Sequence, residues 1–571
     1  MKLVCERGFT LLARVLDTKG PSIRGPRCTF TVFFTKAKID GSECGEPLVF
    51  GCRSASLSGS IEESDAVSEL IENAPRRVST GIAALDGILY GGLEAERLYL
   101  IEGSPGTGKT TLGLQYLLEG RANGEKGFYV TLSETKEELI AIARSHGWSL
   151  DGIEVHELVD PQGEAGQSHY TMFEPGEIEL GNTLSSVQEH IELFKPNRLV
   201  FDSLSEMRLL SQGAFRYRRQ ILALKQFLSG RNCTTLLLDD KASGEDHQLQ
   251  SLSHGVIRLE QHLTDYGKER RYLRVIKYRG SDFAGGVHDL QITRGGLVVF
   301  PQWLDSETQP LPDGKHLSSG LPALDKLLGG GVAEGSSTLL LGPAGVGKSS
   351  MGVQFAVEAA KRGDRAILFE FEESEHALLN RSEGLGLPLK KYIAEGLIEV
   401  NHLRPGEVTP NEFASLVRSS VEVDQDQKRT SVVIIDSLNG YLNAMPHEKF
   451  LVVHLNDILH YLGRRGVCTF LVVAQHGMLG RATSTPVDTS YLADAVVLFR
   501  YFEAEGQIHR AISVVKNRTA SHEHTIREFA LSSKGLTIGE PLTKFRGVFS
   551  GTPEFVGAHE ALMPAKGNRN E

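Results

Sequence analysis

From Arg76 onward, short apolar runs alternate with stretches in which apolar positions recur at helical spacing. Residues 97–102 (RLYLIE), 127–132 (GFYVTL) and 197–202 (NRLVFD) predict strands, and residues 110–118 (TTLGLQYLL) predict an apolar helix leaving the first of them. The same pattern returns farther along: strands at 337–341 (STLLL), 366–371 (AILFEF) and 431–436 (SVVIID), and a helix at 349–356 (SSMGVQFA). An amphipathic helix follows both 127–132 and 366–371. Strands that are apolar throughout, rather than at every second residue, are buried on both faces. Their alternation with helices predicts an α/β fold with mostly parallel, twisted sheets covered by helices on both faces.

The repetition is in register. Residues 103–110 (GSPGTGKT) and 342–349 (GPAGVGKS) both fit G-x-x-x-x-G-K-[ST], with their lysines 239 residues apart (348 − 109). Ser79 to Asp86 (STGIAALD) and Ser318 to Asp325 (SSGLPALD) keep the same offset, as do Lys277 and Lys516. Two large domains follow, at 76–305 and 316–540. The Pro- and Gly-containing stretch 306–315 is expected to be a linker, 541–571 a C-terminal tail, and 1–70 an N-terminal extension without a counterpart in the second half and without stable order.

Composition narrows the class. The chain has 571 residues, 40% hydrophobic and 23% charged, and a net charge of −11. The acidic total leaves no electrostatic footprint for nucleic acid, which is not expected as a partner. No apolar run approaches the roughly 18 residues of a membrane helix. Four of the six cysteines (Cys5, Cys28, Cys44, Cys52) precede residue 53, with no metal-knuckle spacing; Cys233 and Cys468 sit in apolar runs and read as buried thiols. A cytoplasmic location is expected.

The chemistry is that of a nucleotide. Glycines in a P-loop free backbone N–H groups to wrap phosphates, the lysine reaches the β- and γ-phosphates, and the hydroxyl binds Mg²⁺. Gly103, Gly106, Gly108, Lys109, Thr110 and Thr111, with Gly342, Gly345, Gly347, Lys348, Ser349 and Ser350, are the expected ATP-binding residues. Asp202 and Asp436 end apolar strands and suit the acid that holds Mg²⁺ together with Thr110 and Ser349. Glu372 and Glu373 follow a parallel strand at its carboxyl end, where a base would meet the attacking group. The first half has Ser133 and Glu134 there, one carboxylate fewer. These acids also suit a helix start. Lys277 with Arg279, and Lys516 with Arg518, are spaced to project from one strand face. Either they form a solvated edge or they reach a neighbouring subunit's nucleotide.

In these combined features the chain resembles the KaiC family of the RecA-like ATPase superfamily over residues 76–539. The marks are the S-T-G-x-x-x-L-D entry, both P-loops, Glu372-Glu373, the K-x-R steps and the ending around Ile526, Phe529 and Gly535. The resemblance implies two tandem RecA-like domains in a double-ring homo-hexamer, with ATP and Mg²⁺ between subunits. The first ring would work mainly as an ATPase, and the second would also phosphorylate its own Ser/Thr residues. It further implies Glu372 as general base, Lys277, Arg279, Lys516 and Arg518 acting across interfaces, and KaiB-like or signalling proteins as partners. Three departures stand out. The first glutamate pair is Ser133-Glu134, the second K-x-R is followed by Thr519, and the family's Ser-Thr phosphosite aligns with Ser490-Tyr491. Ser490, with Thr489 beside it, is then the expected acceptor, within a signalling or timing scaffold. A DNA-acting RecA-type recombinase or helicase, and a nucleotide-gated binding module with little turnover, are the alternative readings.

Overall fold

Five or six consecutive apolar residues satisfy no amphipathic surface, so each such run has to become the middle of a layered structure. The computed structural model describes residues 2–5, 9–12, 76–158, 175–211, 213–240, 247–263, 267–302, 314–404, 406–422, 428–444, 450–475, 491–504, 506–548 and 554–556. Its strands are β1 (Leu98–Gly103), β2 (Gly127–Thr131), β3 (Ile153–Glu157), β4 (Arg198–Asp202), β5 (Thr234–Asp240), β6 (Gly255–His262), β7 (Arg270–Tyr278), β8 (His288–Thr293) and β9 (Gly296–Phe300) in the first domain. The second has β10 (Ser337–Pro343), β11 (Arg365–Glu370), β12 (Ile398–His402), β13 (Thr430–Asp436), β14 (Cys468–Gln475), β15 (Ala495–Ala504), β16 (Gln507–Asn517), β17 (Arg527–Ser532) and β18 (Gly535–Pro541).

Both nine-stranded sheets have the same order. The first is β9-β8-β7-β6-β1-β5-β4-β2-β3, and the second is β18-β17-β16-β15-β10-β14-β13-β11-β12. The strands from β3 to β6 and from β12 to β15 are parallel. The remaining strands of each sheet run antiparallel as an edge extension. Every residue of β1, β2, β4, β11 and β13 is buried, in keeping with their uninterrupted apolar sequences. Hydrophobic clusters lie on both faces of each sheet. Each fully buried Leu or Phe there contributes roughly 1.5–3 kcal/mol. Cys233 and Cys468 are buried in these layers, where desolvation pushes both thiols up to about 12.

The helices that bear on the sites are α1 (Lys109–Ala122), α2 (Lys136–Ser145), α3 (His247–Leu252), α4 (Lys348–Lys361), α5 (Glu375–Gly384) and α6 (Pro410–Glu422). Thr135 and Glu138 form a capping box at the start of α2, and the Ser374 hydroxyl caps α5. The two domains meet through polar contacts on α6. The Asn411 N–H donates to Asp289 Oδ2 at 2.9 Å, and Gln291 Nε2 donates to Glu412 Oε2 at 2.7 Å. No helix among the described residues is long and apolar enough to cross a membrane.

Near the N-terminus, Lys2–Cys5 pairs antiparallel with Phe9–Leu12. Four-residue strands carry too few positions to show a period, so the sequence did not announce them. The expectation of an unordered extension otherwise falls outside the described residues, as does most of the expected linker. At the C-terminus, Phe545–Arg546 pairs with Glu554–Phe555, and Phe545 packs edge-on against Phe502.

Candidate nucleotide sites

Each P-loop joins the central strand of a sheet to a helix, β1 to α1 and β10 to α4. Gly108 and Gly347 occupy the residue before the helix with φ of 100° and 112°, a left-handed conformation that side chains resist. Space enforces the choice as well. A Cβ on Gly108 would lie 2.9 Å from the Leu297 side chain, and one on Gly347 2.8 Å from Phe529. Gly106 and Gly345 also have positive φ; Gly103 ends β1, and Gly342 is the last residue but one of β10. The first N–H groups of α1 and α4 point into the loop, which is where an anion binds.

In the first domain Lys109 Nζ donates to the Gly103 and Ser104 carbonyls at 2.9 and 3.1 Å. It also forms an ion pair with Asp240 Oδ1 at 2.8 Å. Thr110 Oγ1 donates to Asp202 Oδ2 at 3.1 Å, and the Tyr129 hydroxyl donates to the same oxygen at 2.5 Å. Burial raises the Asp202 carboxyl above its ordinary range, opposed by these two donors and by Lys109. Glu134 is half-buried, and its Oε2 has no hydrogen-bond partner among the described residues. Burial, then the charges of Asp202 and Glu138, push its carboxyl up to about 7. Thr111 Oγ1 is 3.5 Å from His146 Nε2.

The second domain keeps the cradle and changes its surroundings. Lys348 Nζ donates to the Pro343 carbonyl at 2.8 Å, and burial lowers it to about 8 against the pull of Asp436 and Glu372. Ser349 hydrogen-bonds Asp436, whose carboxyl burial again raises. Glu372 Oε1 accepts from Ser437 Oγ at 2.6 Å. Glu373 is gripped in bidentate fashion by Arg381, through Nε at 3.1 Å and Nη2 at 2.6 Å, while Arg381 Nη1 donates to Ser350 Oγ at 2.9 Å. Glu370, the last residue of β11, is pushed up to about 9 by burial and then by Asp436 and Glu373. Lys348, Ser349, Asp436, Glu372, Glu373 and Arg381 line a cavity of about 610 Å³.

The structure thus brings both P-loops together with Asp202 and Asp436, each one strand removed from the loop-bearing strand (β5 or β14 intervening). It separates the two glutamates of the expected pair: Glu372 faces Ser437, and Glu373 is tied to a cation. The K-x-R cations stand elsewhere. Lys277 donates to the Gln250 and Ser253 carbonyls and Arg279 to Ser251 O at 2.9 Å, so both meet the C-terminal end of α3. Lys516 donates to Ala493 O at 2.6 Å, and Arg518 is exposed. Ser490 and Thr489 lie outside the described residues; neighbouring Tyr491 is exposed.

Sequence reasoning missed five charged residues at these loops, Asp240 beside Lys109 among them. Glu370 hides at the end of an apolar strand, and Arg381 lies near the end of α5, eight residues beyond its partner. Arg271 Nε donates to Gly106 O at 3.3 Å, and Arg510 lines the second cavity. Arg271 and Arg510 are 239 residues apart, so extending the repeat offset into β7 and β16 would have found them.

In both domains the donors suit Mg²⁺: one strand-end carboxylate bonded to the first hydroxyl of the P-loop helix, and in the second domain a cavity beside them. Among the described residues no group of three or more His, Cys, Asp or Glu could hold a metal ion by protein ligands alone.

Comparison with known proteins agrees with this arrangement. Residues 78–303 and 317–543 each match the KaiC ATPase family. The chain is 27% identical over 493 residues to the circadian clock protein KaiC3 of Synechocystis sp., covering 85% of this chain and 96% of that protein. It is 26% identical over 508 residues to the circadian clock oscillator protein KaiC of Prochlorococcus marinus (87% and 97%), and 26% identical over 496 residues to that of Acaryochloris marina (85% and 92%). Two tandem matches over most of the chain, on two sheets of one strand order, make this protein a member of the KaiC ATPase family.

Proposed function

We propose that both domains bind ATP with Mg²⁺, that both hydrolyse it, and that the second domain also transfers the γ-phosphoryl group to the chain's own Ser490 or Thr489. The observation that carries this reading is the second-domain cavity, where Glu372 lines the same space as Lys348, Ser349 and Asp436. Lys348 and the α4 N-terminus bind the phosphates, and Ser349 with Asp436 would hold Mg²⁺, which neutralises charge on the transferring group. Glu372, oriented by the Ser437 hydroxyl, accepts the proton of the attacking hydroxyl or water. Glu373 cannot share that task while Arg381 holds both its oxygens. Lys277, Arg279, Lys516 and Arg518 act at contacts between copies in a homo-hexamer that serves as a soluble signalling or timing scaffold. Incubation with γ-labelled ATP and mapping of the label tests the kinase half: label is expected at Ser490 or Thr489. Phosphate release without any label on the protein would refute it.

A further inference from the structure

The first domain stands one carboxylate short. The repeat offset puts Ser133 where the second domain has Glu372, and Glu134 where it has the ion-paired Glu373. A different strand, β5, carries an acid beside the loop. In the sheets, Gly103 pairs with Asp240 on β5, and the matching Gly342 pairs with Ala474 on β14. Asp239-Asp240 therefore replaces Val473-Ala474, and at the site of the loop-facing residue the first domain has a carboxylate where the second has a methyl group.

The two aspartates are held in different ways. Asp239 is buried and bonded by Arg208 Nη2 at 2.7 Å, which fixes the end of β5. Asp240 places Oδ1 2.8 Å from Lys109 Nζ, and its Oδ2 accepts from Ser205 Oγ at 3.1 Å. Its side chain is 41% exposed, so solvent reaches it. The strand that carries it lies between the P-loop strand β1 and the Asp202 strand β4. Lys109 reaches the β- and γ-phosphates. A carboxylate in contact with that ammonium therefore borders the γ-phosphate on the side open to water. At the equivalent place in the second domain, Asn439 bonds the backbone of Ala474 instead, and position 474 itself carries a methyl group.

We propose that Asp240 is the catalytic base of first-domain ATP hydrolysis, standing in for the carboxylate lost at Ser133. Water's oxygen bonds to the γ-phosphorus as the bond from that phosphorus to the β–γ bridging oxygen breaks. ADP takes the electron pair of the broken bond, and water's proton passes to Asp240 and on to solvent. The proposal rests on the reading above that the first domain hydrolyses ATP.

The test uses full-length protein carrying Lys348→Ala, so that turnover comes from the first domain. Asp240→Asn and Asp240→Ala are measured for steady-state hydrolysis and for Mg²⁺-dependent binding of a fluorescent, non-hydrolysable ATP analogue, which also reports folding. A fall in kcat of about 100-fold or more in both variants, with analogue affinity held within a few-fold, is expected. Partial recovery in Asp240→Glu would support a carboxylate role. Unchanged kcat with tighter analogue binding would overturn the proposal, making Asp240 only the counter-ion of Lys109. A Lys348→Ala parent that binds the analogue but releases no phosphate would overturn the underlying reading itself, and is told apart because it shows before any Asp240 variant is made.

Discussion

The two domains share a strand order and a phosphate cradle, and they differ in the acids around the lysine. In the second, three carboxylates (Glu370, Glu372, Glu373) and one arginine are gathered at the end of β11 and on α5. In the first, the matching positions are Thr131, Ser133, Glu134 and Ile142, and acids come from the end of β5 instead. Backbone geometry is retained where phosphate must be wrapped, because only glycine fits there. Proton-handling groups can move to another strand end, since several strand ends border the same phosphate. Duplication of a frame therefore does not preserve duplication of its chemistry.

The contrast can be broken most sharply at Glu372. In a Lys109→Ala background, Glu372→Gln should lower second-domain turnover by roughly 10²–10⁴-fold, while Glu373→Gln should cost far less. Equal losses in a phosphate-release assay would return the two glutamates to equivalence.

Arg381→Ile installs the first-domain residue and leaves Glu373 without its cation beside Glu370 and Asp436. The pair is mostly buried (26% and 27% exposed), so the loss should be about 1–3 kcal/mol in chemical denaturation. Adding Glu373→Ala should recover part of it. No destabilisation would mean that the pair is dispensable.

Glu370 offers a pH test. Burial and the neighbouring Asp436 and Glu373 push its carboxyl up from 4.5 to about 9 in the fold, so folding takes up a proton between those values. Its contribution to stability therefore falls as pH rises through that window. Glu370→Gln should raise Tm relative to the parent, more at pH 8.5 than at pH 6. A difference independent of pH would contradict the assignment.

The mildest effect concerns Lys348. With a free-site value of about 8, it is charged below that pH and loses its proton above it. ATP affinity of the second site, measured in Lys109→Ala, should be flat up to pH 8 and then weaken by no more than about tenfold per unit. A decline beginning well below pH 8 would point to another group.

How much of this was legible in sequence follows from what each feature depends on. Gly108 and Gly347 were readable because a left-handed turn under a packed side chain admits little else. The strands ending in Asp202 and Asp436 announced themselves by unbroken apolar runs. The antiparallel edge was not legible: β7 and β8 mix buried and half-buried positions without a clean period. The Arg381–Glu373 pair ties α5 back to the turn after β11, with Ser350 of α4 as a third partner, and Asp240 acquires meaning only when β5 is seen beside β1. Both are contacts between elements, which periodicity along one element does not encode.

The most direct test of unequal sites is to compare Lys109→Ala with Lys348→Ala, in Mg²⁺ and γ-labelled ATP, for phosphate release and for label retained by the protein. Lys109→Ala is expected to keep the faster release and to carry label at Ser490 or Thr489; Lys348→Ala should release phosphate more slowly and stay unlabelled. Equal release rates, or label on the Lys348→Ala protein, would contradict the account.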